Sequence, residues 1–374
     1  MAIGGKATAE GTGRYARKQQ QVDSAHYREN AGIRISDLGI GTYLGSHDEE
    51  TDQRYTEAVA EALQKGINVV DTAINYRFQR SERSVGEAVR RSIENGAVRR
   101  DEIVIATKGG FLSFDGAPPR DPMAYLQETF FDSGIIRPQD IVAGCHSMHP
   151  DYVRHQLHSS LKNLGLDTID IYYLHNVETQ LEEIDNPEFE KRLGSAFSAL
   201  EEEAANGAIV RYGLATWDGF RVPPSVRNHL SLERILEIAK SAGGERHRFS
   251  VVQLPFNFVY REAAVAPTQM WKGRLVPFLH AAAEANILVM ASVPLFQGKL
   301  LGQLPAPLAA EFKGVRTDAQ RAISFVAATP GLHTALAGMS SITHVEENTN
   351  YLQAPRLDSS AWVRIIQNLG RSFA

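Results

Sequence analysis

The chain has 374 residues, 43% hydrophobic and 22% charged, which excludes disorder for most of its length and leaves the domain count to the pattern of elements. Its 39 basic and 44 acidic side chains give a net charge of −5 with both signs interspersed, so nothing draws it to nucleic acid or an anionic membrane, and small-molecule partners are expected. The single cysteine, Cys145, excludes an internal disulfide framework. No apolar run approaches the roughly 20 residues of a membrane span, the first residues lack the apolar core of a signal peptide, and a cytoplasmic location is expected.

In chain order, residues 1–30 are small and polar with scattered Lys and Arg; they read as a loosely ordered tail ahead of one domain covering 31–374. From Ile33 apolar strands alternate with amphipathic helices. Strand one lies in IRISDLGIGTYLG (33–45), and its helix carries Tyr55, Val59, Ala62 and Leu63 at helical spacing. Strand two is INVVDTA (67–73), followed by a helix with Val85, Ala88, Val89 and Ile93; strand three is IVIATK (103–108). A helix with Val153, Leu157, Leu161 and Leu164 precedes strand four, IDIYYLH (169–175). A helix with Leu193, Phe197 and Leu200 leads to strand five, IVRYGLAT (209–216), and one with Leu232, Ile235, Leu236 and Ala239 to strand six, SVVQLPF (250–256). The helix before Asn286 leads to strand seven, ILVMAS (287–292), and the helix with Ile323, Phe325 and Val326 to strand eight, TALAG (334–338).

Eight such units are the count that closes a parallel sheet, so the expected fold is α/β, a (β/α)8 TIM barrel. A doubly wound open sheet would carry a glycine-rich turn after strand one, whereas GIGT (39–42) lies within it. Two connections exceed ordinary length: an insertion at about 109–150, and an acidic stretch at 176–190. Both follow strands, where barrel loops build the active face, so both are candidate substrate walls; packing alone is the other reading of the insertion.

Asp71, Lys108 and His175 each close an otherwise apolar strand, and Tyr76 follows Asp71 by five residues. A lone polar residue at a strand end is commonly a satisfied structural group. Three on strands two, three and four point to a rim site for proton transfer, because unpaired charge there is costly.

These residues resemble the aldo-keto reductases. The likeness rests on DTAINY (71–76) with Gly86 and Glu87 downstream, on IATK (105–108), on SLKNLGLDTIDIYYLH (160–175) and on HVEEN (344–348), in matching order from about Ile33 to Leu352. It implies reduction of an aldehyde or ketone, or the reverse, with a nicotinamide cofactor, and a catalytic tetrad of Asp71, Tyr76, Lys108 and His175. Acid-base matching gives the roles. A phenol with a pKa near ~10 is a poor donor at neutral pH, and the Lys108 ammonium is expected to lower it. Asp71 would hold Lys108 charged, His175 would orient the substrate carbonyl, and Tyr76 would give the proton.

The resemblance also implies a cofactor cradle. Its Ser-Asn pair is replaced by Ala215 and Thr216, while Gln253 is retained for the carboxamide; Asn257 and Arg261 complete a Q-x-x-x-N-x-x-x-R stretch. Ser292 stands where the family stacks a tyrosine on the nicotinamide, leaving Trp217 or Phe296 to cover the ring. Pro294, Leu295, Gln297 and Lys299 are candidates for the pyrophosphate, and Glu347 and Asn348 for adenine. Gly338 and His344 occupy positions that often hold Lys and Arg for a 2′-phosphate; Ser340, Ser341 or His344 could receive it. NADP is the expected cofactor, with NAD the alternative.

Three other readings stay open. His146, His149, His155 and His158, with Asp71 and His175, would suit a metal-dependent hydrolase, although His155 and His158 read as surface or packed residues and His146 and His149 as substrate contacts. Lys108 could serve as a Schiff-base lysine. A non-catalytic nicotinamide-binding regulatory subunit is the last. No metal site is assigned.

Overall fold

A computed structural model describes residues 2–372. The strands are β1 (Tyr27–Asn30), β2 (Ile33–Ser36), β3 (Leu38–Gly41), β4 (Val69–Asp71), β5 (Val104–Gly109), β6 (Ile169–His175), β7 (Ile209–Ala215), β8 (Phe249–Pro255), β9 (Pro267–Trp271), β10 (Arg274–Pro277), β11 (Leu288–Ser292) and β12 (Thr334–Gly338). Eight of them, β3 to β8 with β11 and β12, close a parallel barrel, the architecture expected from the eightfold alternation. Several crossover helices start on caps legible in the sequence. Asp48, Asp185, Ser231 and Thr317 each accept the backbone N–H three residues on, satisfying a donor that the helix itself leaves free.

The core has two layers. One lies between sheet and helices. The other fills the barrel with Val69, Val104, Ala106, Ile171, Tyr173, Val251, Leu288, Met290 and Leu336. Strand side chains alternate faces, so each interior column continues every second residue. Val69 leads to Asp71, Ala106 to Lys108, Tyr173 to His175 and Val251 to Gln253. The strand ends are level across the sheet, with Asp71 opposite Ala106, Lys108 opposite Tyr173, and Ala215 opposite both His175 and Gln253. At Gly213 a Cβ would meet the Val251 carbonyl oxygen at 1.7 Å, so that crossing of β7 and β8 admits no side chain.

Three expectations are corrected. Strand one divides: Ile33–Ser36 pairs antiparallel with Tyr27–Asn30, and only Leu38–Gly41 enters the barrel. Ile33 and Ile35 join the interior cluster instead, closing the end opposite the strand C-termini. Residues 1–30, expected as a loosely ordered tail, carry a helix at Ala9–Lys18 and half of that hairpin. Tyr15 is fully buried there, its hydroxyl donating to the Leu63 and Ile67 carbonyls at 2.6 and 2.9 Å. A further hairpin, β9 with β10, stands where only a loop and the following helix were expected.

The insertion at about 109–150 has its own core. Leu126, Phe130 and Ile136 pack on Tyr152 of the helix Pro150–Leu164. It returns to its root, where Phe111 bridges His146 and the Leu112 N–H donates to the Cys145 carbonyl at 2.7 Å.

Candidate active site

Lys108 is fully buried beneath the rim. Its ammonium donates to Asp71 Oδ2 at 2.6 Å and to the Thr72 carbonyl at 2.8 Å. The other carboxylate oxygen, Oδ1, accepts from Gln253 Nε2 at 2.7 Å. A carboxylate only accepts, so the Gln253 nitrogen must face it, and Gln253 is tied to the ion pair as well as to the cleft. The Lys108 nitrogen lies 4.8 Å from the centroid of the Tyr76 ring. Tyr76 in turn meets the His175 ring edge-on at 5.9 Å, and Phe111 meets His175 at 5.1 Å.

Burial works against the Lys108 ammonium, but the Asp71 charge and Tyr76 outweigh it and hold its pKa above the ordinary lysine value. For Tyr76, burial raises the phenol pKa and Lys108 lowers it; burial prevails. The expected net lowering is therefore corrected. His175 lies well below the ordinary histidine value because it is buried, with the Lys108 ammonium adding positive charge nearby. Its imidazole is neutral at physiological pH, suited to donating one N–H to an oxygen.

A cleft of about 590 Å³ opens above this cluster. Asp71, Tyr76 and His175 line one end, with Lys108 hidden behind them. Thr216 and Gln253 form the next wall, then Pro294, Leu295 and Gln297, and the far end holds Gly338, Ser340, His344, Glu347 and Asn348. Of the predicted cofactor residues, Lys299, Phe296 and Ser341 do not line this space, and Ser341 instead caps the helix Ile342–Thr349. The loop after β11 is strained: Val293, Phe296 and Gln297 have φ of 48°, 49° and 54°, a left-handed conformation that is costly outside glycine. At the far end Asn348 Oδ1 is buried without a hydrogen-bond partner. An orphaned acceptor and a strained loop along one cleft fit a bound dinucleotide.

The histidines do not group as a metal site, and among the described residues no three His, Cys, Asp or Glu side chains do. His146 is fully buried and outside the cleft wall, which corrects its reading as a substrate contact. His149 caps the helix Pro150–Leu164 and also lies outside that wall. His155 packs edge-on against Phe130, and His158 lies 3.3 Å from Glu203.

The sequence reading missed Tyr43, Asn75 and Phe111 as cleft residues. Tyr43 and Phe111 each follow a strand end by two residues, a signal that could have found them. Glu178 was also missed: its buried carboxylate accepts from the Trp217, Asp218 and Gly219 N–H groups at 2.5, 3.0 and 3.3 Å, setting Trp217 on the cleft.

A sequence model of the aldo/keto reductase family matches residues 37–368. The NADH-specific methylglyoxal reductase of Escherichia coli is 26% identical over 191 residues, 50% of either chain. The D-threo-aldose 1-dehydrogenase of a Pseudomonas species is 28% identical over 229 residues, 60% of either chain. Matches to curated relatives span 33% to 60% of those proteins' length. Among solved structures, the glycerol dehydrogenase of Gluconobacter oxydans superposes with a TM-score of 0.65 at 17% identity, covering 93% of this chain and 96% of that one, a likeness of fold. With the family pattern matched from the first barrel strand to the last helix, the chain belongs to the aldo/keto reductase family.

Proposed function

We propose that the protein reduces an aldehyde or ketone to the alcohol, or runs the reverse, with NADP(H) in the cleft and NAD(H) as the alternative. The observation that carries the reading is the convergence of Asp71, Lys108, Tyr76 and His175 at one end of a cleft whose other end is Ser340 to Asn348.

Thr216 and the free Gln253 oxygen would hold the carboxamide, the Pro294–Gln297 loop the pyrophosphate, and Glu347 and Asn348 the adenine. Bound there, the nicotinamide supplies the hydride. Tyr76 holds a proton at its hydroxyl and releases it to the substrate oxygen as charge develops, and neutral His175 orients that oxygen through an N–H. Lys108, kept protonated by Asp71, stabilises the phenolate that remains. A Schiff-base role for Lys108 is disfavoured by the same pairing, since the nucleophile must be the free amine. Small carbonyl compounds or alcohols are the partners, and the absence of cysteine pairs accords with a cytoplasmic setting.

The test is Tyr76→Phe. Loss of reduction by about 10²–10⁴-fold, with dinucleotide affinity retained in a fluorescence titration, is the expected outcome. Unimpaired turnover would remove Tyr76 as donor. A wild-type protein that binds dinucleotide but turns over no carbonyl would favour the regulatory-subunit reading.

A further inference from the structure

His146 stands at the root of the insertion, fully buried, and the catalytic cluster does not use it. Its Nε2 lies 2.7 Å from the backbone carbonyl of His175. A carbonyl only accepts, so Nε2 carries the hydrogen. On the other side, Nδ1 is 3.0 Å from Gln180 Nε2. The orientation of that buried amide is fixed twice: its oxygen accepts from Arg192 at 3.1 Å, and its nitrogen also donates to the His146 carbonyl at 3.2 Å. An arginine can only donate, so the amide nitrogen must face Nδ1, which is therefore bare. Burial pushes the His146 pKa down to about 4, consistent with a neutral ring.

We propose that His146 is a positioning residue for His175, the last link of a hydrogen-bond chain with one fixed direction, from Arg192 through Gln180 and His146 to the His175 carbonyl. The ladder explains why a link is needed there. Beyond His175 the chain turns through Asn176 at φ 47°, so the final carbonyl of β6 requires a partner from outside the barrel. The insertion supplies it. Gly110, at φ 133°, makes room: a Cβ there would lie 2.8 Å from His146 Nε2 and 3.3 Å from the His175 carbonyl oxygen. Phe111 packs edge-on against both imidazoles, at 5.2 Å from His146 and 5.1 Å from His175. Backbone and ring of His175 are thus both located by groups at the insertion's root. The His175 carbonyl fixes the proton on Nε2, and Arg192, whose side chain is 26% exposed, helps to turn the Gln180 amide nitrogen toward the bare Nδ1.

This inference rests on His175 acting on the substrate carbonyl, and its test has one arm that needs no turnover. In the full-length protein with ¹⁵N-labelled histidine, the His146 resonances should report a protonated Nε2 and a bare Nδ1. In Arg192→Leu the His175 carbonyl and the second bond of the Gln180 amide remain, so the Nε2-protonated form should persist. In the kinetic arm, with NADPH and a carbonyl substrate, His146→Leu should lower kcat by about tenfold or more while leaving the NADPH dissociation constant unchanged, since small misplacements of a catalytic group are expensive. His146→Gln, whose amide can again donate to the His175 carbonyl, should recover kcat to within about threefold. A purely structural role would not separate the Leu and Gln variants in this way. An Nδ1-protonated His146 in the wild type, or a Leu variant with wild-type kcat, would overturn the proposal. If the wild type shows no reduction at all, the functional reading fails, and the resonances still decide the direction of the chain.

Discussion

Replacing Asp71 with Asn removes one charge from a fully buried ion pair while keeping the side chain's shape. Lys108 has no solvent contact, and it would be left with the Thr72 carbonyl at 2.8 Å and Tyr76 as partners. Breaking such a pair from one side costs about 3–5 kcal/mol. The lysine can limit the penalty by losing its proton, which links the cost to pH. Three units below the unfolded value of 10.5, at about pH 7.5, deprotonation costs about 4 kcal/mol, and at about pH 9.5 only about 1.4 kcal/mol. The two proteins have opposite signs. In the wild type the folded pKa of Lys108 is raised, so its contribution is complete below the unfolded value and is lost only as pH rises through the folded one. In Asp71→Asn the folded pKa falls, the unfolded state binds the extra proton, and stability rises with pH up to about 10.5. Urea unfolding of both proteins at the two pH values should show a gap that narrows by about 2–3 kcal/mol between them. A gap below about 1 kcal/mol at pH 7.5, or one that does not move with pH, would refute the reasoning.

The acid side follows from the histidines. His146 stays neutral in the fold down to about pH 4, and His175 is likewise depressed by burial and Lys108; the unfolded chain takes up these protons first. Their contribution is present above about 6.5 and is lost as pH falls, at about 1.4 kcal/mol per unit for each group. His26 works in the opposite sense. Burial opposes its charge, but Asp37 prevails and raises its pKa, so its contribution is complete below about 6.5 and fades above. Unfolding free energies measured from pH 6.5 to 4.5 should fall, and His146→Gln should flatten the slope; an unchanged slope would contradict the assigned burial of a neutral imidazole. Trp217 is 39% exposed on the cleft wall, which Ser292, a side chain that cannot stack, also lines. Trp217→Ala should weaken NADPH binding about 3–10-fold, as expected for about 0.5–1.5 kcal/mol of ring contact, measured by quenching of the dinucleotide's fluorescence. An unaltered dissociation constant would remove Trp217 from the cradle.

Asp71, Lys108 and His175 were legible because strand periodicity is local, whereas Tyr76 lies in the turn after β4 and was read from the DTAINY likeness. A residue two places beyond an interior Val69, Ala106 or Tyr173 faces the interior, and at the C-terminal end of a strand it faces the rim. What joins them was not legible. Gln253 meets Asp71 across 182 residues, and only closure of the barrel decides that its nitrogen is spent on the ion pair. The N-terminal segment misled for a related reason. Its helix buries Gly11, Thr12, Gly13 and Tyr15, too little apolar surface to mark a folded element by composition. It is held by specific bonds, such as those of the Tyr15 hydroxyl, that composition does not register. The β9–β10 hairpin did carry a signal: Lys272 and Gly273, at φ 48° and 77°, form a two-residue turn between β-rich flanks of the type that closes hairpins. A reading tuned to alternating strands and helices passed over it.

The resting electrostatics of Tyr76 bear on the donor role proposed for it. A phenol that ionised before substrate arrived would have no proton to give, so a pKa raised by burial preserves the donor state. The pull of Lys108 becomes useful only as negative charge forms on the ring oxygen. Lys108 lowers the phenol pKa more than Asp71 raises it, with the ammonium 4.8 Å from the ring centroid. Asp71 therefore acts on Tyr76 in two opposed ways: it repels the phenolate directly and keeps charged the cation that attracts it. In Asp71→Asn the balance depends on the lysine's proton. If Lys108 stays protonated, the phenol pKa falls; if it deprotonates, the phenol loses its only nearby cation and its pKa rises. The pH dependence of turnover in that variant should therefore shift in the direction that its stability profile assigns to the lysine.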